Sequence, residues 1–124
     1  MSRTVLIVED SDQCITTLEI AIQRMADVHV TSVASAEQAL AFLADSEICA
    51  LITDLNLPRM DGFELIARIR SRPGGSTLPI MVISGDSDPH APERARRMGA
   101  NAFFPKPYSP AEVRRKLEQL IDAI

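Results

Sequence analysis

The feature that most constrains this chain is a strict alternation between two hydrophobic periods. Short β-branched or apolar runs stand at "TVLIV" (4–8), "VHVTSV" (28–33), "CALIT" (49–53), "PIMVIS" (79–84) and "AFF" (102–104), each of strand length and composition. Helical patterns lie between them. The clearest is the last, where Ser109 is an N-cap, Pro110 the first helical residue and Glu112 the third position after the cap, with Val113, Leu117, Leu120 and Ile124 on one face. The same start signal recurs at Ser35 with Gln38 and at Asp61 with Glu64. Ile15, Leu18, Ile22 and Met25 give the first helix an apolar stripe, and Gly99 reads as the stop of a fourth helix near 88–98. Five strands and five helices in strict alternation predict an α/β fold, with a doubly wound parallel sheet covered by helices on both faces. Each parallel crossover needs a helix and is right-handed.

The chain has 124 residues, enough for a core without disulfide or metal staples, and 1–124 reads as a single domain without repeats or linkers. The Pro-Gly-Gly stretch at 73–75 reads as a loop. No apolar run approaches the roughly 20 residues of a membrane span, and the opening "MSRTVLIVED" reads as a strand rather than a signal peptide. A cytoplasmic location is therefore expected. Cys14 and Cys49 lack metal-type spacing and read as free thiols. An aromatic content of 4%, with no nucleic-acid module, argues against direct nucleic-acid binding. The net charge of −4 is uneven: residues 1–62 carry 3 basic and 10 acidic groups, whereas residues 63–124 carry 10 basic and 7 acidic.

In sheets of this kind ligands bind beyond the carboxyl ends of the strands, where the strand order reverses. Polar residues gather at those ends. The first strand runs into Glu9 and Asp10, the third ends on Asp54, the fourth on Ser84 and Gly85, and Lys106 and Pro107 follow the fifth. Three close carboxylates repel one another unless a cation is present. A hard divalent cation resolves the conflict, and Mg²⁺ suits a shallow site with few carboxylates and a phosphate to accommodate. Asp54 is then a nucleophile or a ligand held beside a metal.

With those residues placed, the whole chain resembles the receiver domain of two-component response regulators, through "LIVED", "LITDLNLPRMDGFELI", "PIMVISG" and "GANAFFPKP". The resemblance implies the flavodoxin-like strand order 2-1-3-4-5, which alternation alone leaves open. It implies that Asp54 is the phospho-acceptor, attacking a phosphohistidine of a sensor histidine kinase or histidine phosphotransfer protein to give a 4-aspartylphosphate. The domain would thus catalyse its own phosphorylation and, later, its dephosphorylation in a phosphorelay. Asp10, Asp54 and the backbone carbonyl of Asn56 would bind Mg²⁺, with Glu9 holding a metal-bound water. Ser84 and Lys106 would contact the phosphoryl oxygens, Gly85 would leave room for them, and Phe103 matches the aromatic switch, although spacing leaves Phe104 as an alternative. Asn56 and Asp86 stand where relatives tune dephosphorylation, and Lys106-Pro107 would be a cis peptide.

The resemblance further implies an output surface on the fourth helix, fifth strand and fifth helix, signalling to a partner protein or output domain. No output domain is expected in this chain. "GANAFF" lacks the paired acids that support a symmetric active dimer in the winged-helix branch. Arg94, Arg96, Arg97, Arg114, Arg115 and Lys116 read as a basic face for an acidic partner or as solvated helix surface. Two rival functions are a haloacid-dehalogenase-type phosphatase, suggested by Asp10 and Asp12 as an Asp-x-Asp pair, and a phosphorylation-independent binding module of the same fold.

Overall fold

The computed structural model describes residues 3–85 and 87–122. Five strands, β1 (Arg3–Val8), β2 (Val28–Val33), β3 (Ala50–Thr53), β4 (Ile80–Ser84) and β5 (Ala102–Pro105), alternate with five helices. The helices are α1 (Asp12–Ile22), α2 (Ala36–Asp45), α3 (Gly62–Arg70), α4 (Ala91–Arg97) and α5 (Pro110–Asp122). All four strand pairings are parallel, in the order β2-β1-β3-β4-β5. The expected α/β architecture and strand order are both present.

Side-chain parity along the strands divides the interior into two layers, because successive strand residues point to opposite faces. Val5, Ile7, Ala50, Ile52, Met81 and Ile83 pack with Leu18 and Ile22 of α1 and with Val113, Leu117 and Ile121 of α5. Leu6, Val8, Leu51, Ile80 and Val82 pack with residues of α2, α3 and α4. The three central strands are buried on both faces, so they read as unbroken apolar runs rather than alternating ones. Polar residues can therefore enter them only at the rims.

The capping signals act as read. Ser35 Oγ accepts the Gln38 N–H at 3.1 Å, and Gln38 Oε1 in return accepts the Ala34 N–H at 2.8 Å. Asp61 Oδ1 accepts from Glu64 N at 2.9 Å, and Ser109 Oγ from Glu112 N at 3.3 Å. Gly99 ends α4 with φ of 112°. Three details differ from expectation. Helix α1 ends at Ile22, and Met25 packs on the core from the turn that follows. Helix α4 begins at Ala91 rather than near Asp88: the residue before Pro89 is disfavoured in helical conformation, and Asp88 instead accepts the His90 N–H on its side chain at 2.9 Å. Ile121 is the buried residue in the last turns of α5, with Leu120 packed alongside, while Ile124 lies outside the described residues.

Candidate functional site

The site is assembled at the carboxyl rim by the ends of β1, β3, β4 and β5. Asp54 follows β3 directly, and its backbone N–H donates to Val8 O at 3.0 Å, which fixes it beside the end of β1. Its carboxylate accepts the Asn56 N–H at 3.2 Å. Glu9 is buried at 3% exposure and accepts the Ser11 N–H at 3.2 Å. Asp10, next to it, is exposed. Carboxylate oxygens of Glu9, Asp10 and Asp54 all lie within 4.8 Å of one another.

Lys106 enters this cluster from the segment after β5. Its Nζ lies 3.2 Å from Asp54 Oδ2 and 3.2 Å from Glu9 Oε2. Its backbone N–H donates to Ser84 O at 2.8 Å, so the end of β4 holds the base of the side chain while the two acids hold its tip. Burial, and then the neighbouring Asp54 charge, push the Glu9 carboxyl above its ordinary range, although Lys106 opposes both. Burial works against the Lys106 charge, but Asp54 and Glu9 outweigh it and raise its pKa.

Glycine at position 62 has a steric cause. A Cβ there would collide with the Asp54 carbonyl oxygen and come within 2.8 Å of Leu55 Cα, and the Gly62 N–H donates to Leu55 O at 2.9 Å. The start of α3 thus presses on the backbone that carries Asp54. At Gly85 an added Cβ would meet only the Lys106 stem, at 3.9 Å. Ser84 is fully buried at the end of β4. Phe103 is half-buried on the α4 side of β5 whereas Phe104 faces the α1/α5 side, so parity separates the two. The Lys106–Pro107 peptide is cis, as expected. Asp86 lies outside the described residues.

Oxygen donors alone make up the acidic cluster, and three carboxylates against one ammonium leave an excess of two negative charges. That donor set and charge fit a hard divalent cation such as Mg²⁺. Asp12, the second acid of the Asp-x-Asp pair, opens α1 and stands outside the cluster. Sequence reading missed the Ser11 cap, which a Ser directly before the helical period could have signalled. It also missed the contact between Cys14 and Tyr108, which are 94 positions apart and share no local pattern.

The expected basic face is offset only in part by acids of its own helices. Glu93 pairs with both Arg96 and Arg97, Arg114 lies 3.4 Å from Glu118, and the Arg94 guanidinium sits 4.0 Å from the centroid of the Phe63 ring.

Residues 5–118 match the response regulator receiver domain. The chain is 32% identical over 120 residues to the two-component response regulator ORR13 of Oryza sativa subsp. japonica, covering 94% of this chain and 96% of that protein. A candidate response regulator of Chloroflexus aurantiacus superposes with a TM-score of 0.90 at 33% identity, over 98% of this chain and 99% of that one. The receiver domain of a sensor histidine kinase of Pseudomonas aeruginosa, which has a magnesium ion coordinated in its active-site cleft, superposes with a TM-score of 0.86 at 27% identity, covering 98% and 99%.

Proposed function

This chain belongs to the response regulator receiver family, and we propose that it accepts a phosphoryl group on Asp54 from a phosphohistidine of a sensor histidine kinase or histidine phosphotransfer protein. The observation that carries the reading is the buried Asp54 carboxylate at the strand end, 3.2 Å from the Lys106 ammonium and clustered with Glu9 and Asp10. Receiver domains bind Mg²⁺ at such an acidic site. Here Asp10, Asp54 and the Asn56 backbone carbonyl would hold the ion, with Glu9 holding a water bound to it. When bound, it supplies the positive charge that neutralises the phosphoryl oxygens.

The chain's own residues do the rest. An Asp54 carboxylate oxygen attacks phosphorus in line as the phosphorus–nitrogen bond to the donor imidazole breaks, and the bonding electrons leave with that nitrogen. Lys106 exchanges a carboxylate contact for a phosphoryl oxygen, and Ser84 donates its hydroxyl to another. Phe103 follows the Ser84 segment and alters the surface formed by α4, β5 and α5, which signals to a partner protein or output domain. Water later attacks phosphorus, restoring the Asp54 carboxylate and releasing inorganic phosphate, at a rate that Asn56 and Asp86 tune. We place this chemistry in the cytoplasm; among the described residues no helix is long and apolar enough to cross a membrane.

Intact-mass spectrometry after incubation with a small acyl phosphate and Mg²⁺ tests the reading. One phosphoryl group should arrive, labile to hydroxylamine, and should be lost in Asp54→Asn. Label on Asp10 instead would support the phosphatase reading, and an unlabelled parent would support a phosphorylation-independent binding module.

A further inference from the structure

Lys106 needs to be held where it can leave a carboxylate for a phosphoryl oxygen without drifting from the site, and the bond from its backbone N–H to Ser84 O anchors it on the β4 side. The next anchor along the chain is Tyr108. Its hydroxyl lies 3.4 Å from Cys14 Sγ and donates to the Cys14 carbonyl at 3.5 Å. With the phenolic proton on that carbonyl, the thiol donates to the phenolic oxygen. Burial pushes both groups above their ordinary range; their contact raises the Tyr108 phenol further and lowers the Cys14 thiol without offsetting its burial, so each keeps its proton at neutral pH.

The contact closes a loop of bonds around the site. Cys14 N–H donates to Ser11 Oγ at 3.4 Å, Ser11 N–H donates to Glu9 Oε1 at 3.2 Å, and Glu9 accepts from Lys106 Nζ. A cleft of about 460 Å³ separates the first turns of α1 from the Lys106–Tyr108 segment, and Cys14 and Tyr108 meet across it. We infer that the Tyr108–Cys14 contact is a latch that positions Lys106 for phosphoryl transfer by tying the segment after β5 to the first turn of α1. Neither residue touches the reacting atoms. Both are positioning residues, and the inference rests on the proposed phosphorylation of Asp54.

Tyr108→Phe removes the hydroxyl and leaves the ring in the core, so it separates the latch from packing. With Mg²⁺ and acetyl phosphate followed by intact mass, the labelling rate should fall by roughly tenfold, short of the about hundredfold that a full ångström of misplacement can cost. Cys14→Ala should slow labelling by less, because the Tyr108 hydroxyl keeps its bond to the Cys14 carbonyl, Cys14→Ser should recover most of that loss, and the double variant should be no slower than Tyr108→Phe alone, because that substitution already removes both contacts. Mg²⁺ affinity by calorimetry should match the parent, and the Lys106 ε-methylene NMR signal should shift in both single variants. Tyr108→Phe that labels at the parental rate, or effects of the two substitutions that add fully, would overturn the latch while leaving Asp54 phosphorylation intact. A parent that takes no label would overturn the phosphorylation reading itself and the latch with it.

Discussion

At the scale of single residues, the site is defined by one ammonium shared between two buried carboxylates. A buried ion pair is only marginally favourable once desolvation is counted, and here Glu9 carries the weaker half of the bargain, since burial and Asp54 together raise its pKa. A carboxyl whose folded pKa exceeds its unfolded one binds its proton more tightly when folded, so it favours folding at low pH and that contribution is lost as pH rises through the folded pKa. Glu9→Gln imitates the protonated form. In metal-free protein it should therefore melt higher than the parent at neutral pH, and the gap should close on acidification towards the ordinary carboxylate range. Calorimetric scans across that range check this, and a gap that widened on acidification would contradict the assigned direction. Lys106 has the same sign in a different window: its raised pKa supports folding below its unfolded value and ceases to do so only when alkaline titration removes its charge.

At the scale of elements, α3 is the structural neighbour on which Asp54 depends most closely. Gly62→Ala would force a methyl group into the Asp54 and Leu55 backbone, and overpacking against backbone should cost about 2 kcal/mol, read as a fall in melting midpoint of roughly 5–10 °C. Labelling of Asp54 should slow as well, because the displaced atoms carry the nucleophile; an unchanged midpoint would show that α3 can shift freely. The glycine was legible as a helix start in "MDG", but its steric reason was not, because it depends on the backbone seven to eight positions earlier returning to meet it. The same distinction runs through the molecule. Local signals such as Ser35, Asp61, Ser109 and Gly99 were readable because caps act within four residues. The rim acids were readable because strand ends are marked by where apolar runs stop. What remained hidden was mostly tertiary, the face on which Phe103 lies and the Tyr108–Cys14 contact, whereas the late start of α4 rests on a local signal at Pro89 that went unread.

At the scale of the whole molecule, charge is distributed more subtly than the half-chain counts suggest. The acidic first half contributes Glu9, Asp10 and Asp54 to the rim, whereas the basic second half spends much of its charge on its own acids. Glu93 engages two arginines, Glu118 a third, and Arg94 covers the Phe63 ring. Exposed pairs of this kind are screened by solvent and contribute little to stability, but they reduce the field that the surface presents to an approaching partner. A symmetric dimer through α4, β5 and α5 would have to be held by contacts other than acids from "GANAFF", and its two copies would still bring Arg115 and Lys116 towards one another. We therefore expect the beryllofluoride-treated protein to sediment as a monomer through that surface. An acidic peptide should bind this face only weakly and with a strength that falls as salt rises. Glu93→Gln releases two guanidinium groups, so it should strengthen that binding several-fold at low salt and by little near physiological ionic strength, as titration calorimetry at two salt concentrations would read. A tight dimer mapped to these helices and stable in high salt would contradict the first expectation, and a Glu93→Gln variant with parental peptide affinity at low salt would show that self-neutralisation by Glu93 does not govern the surface.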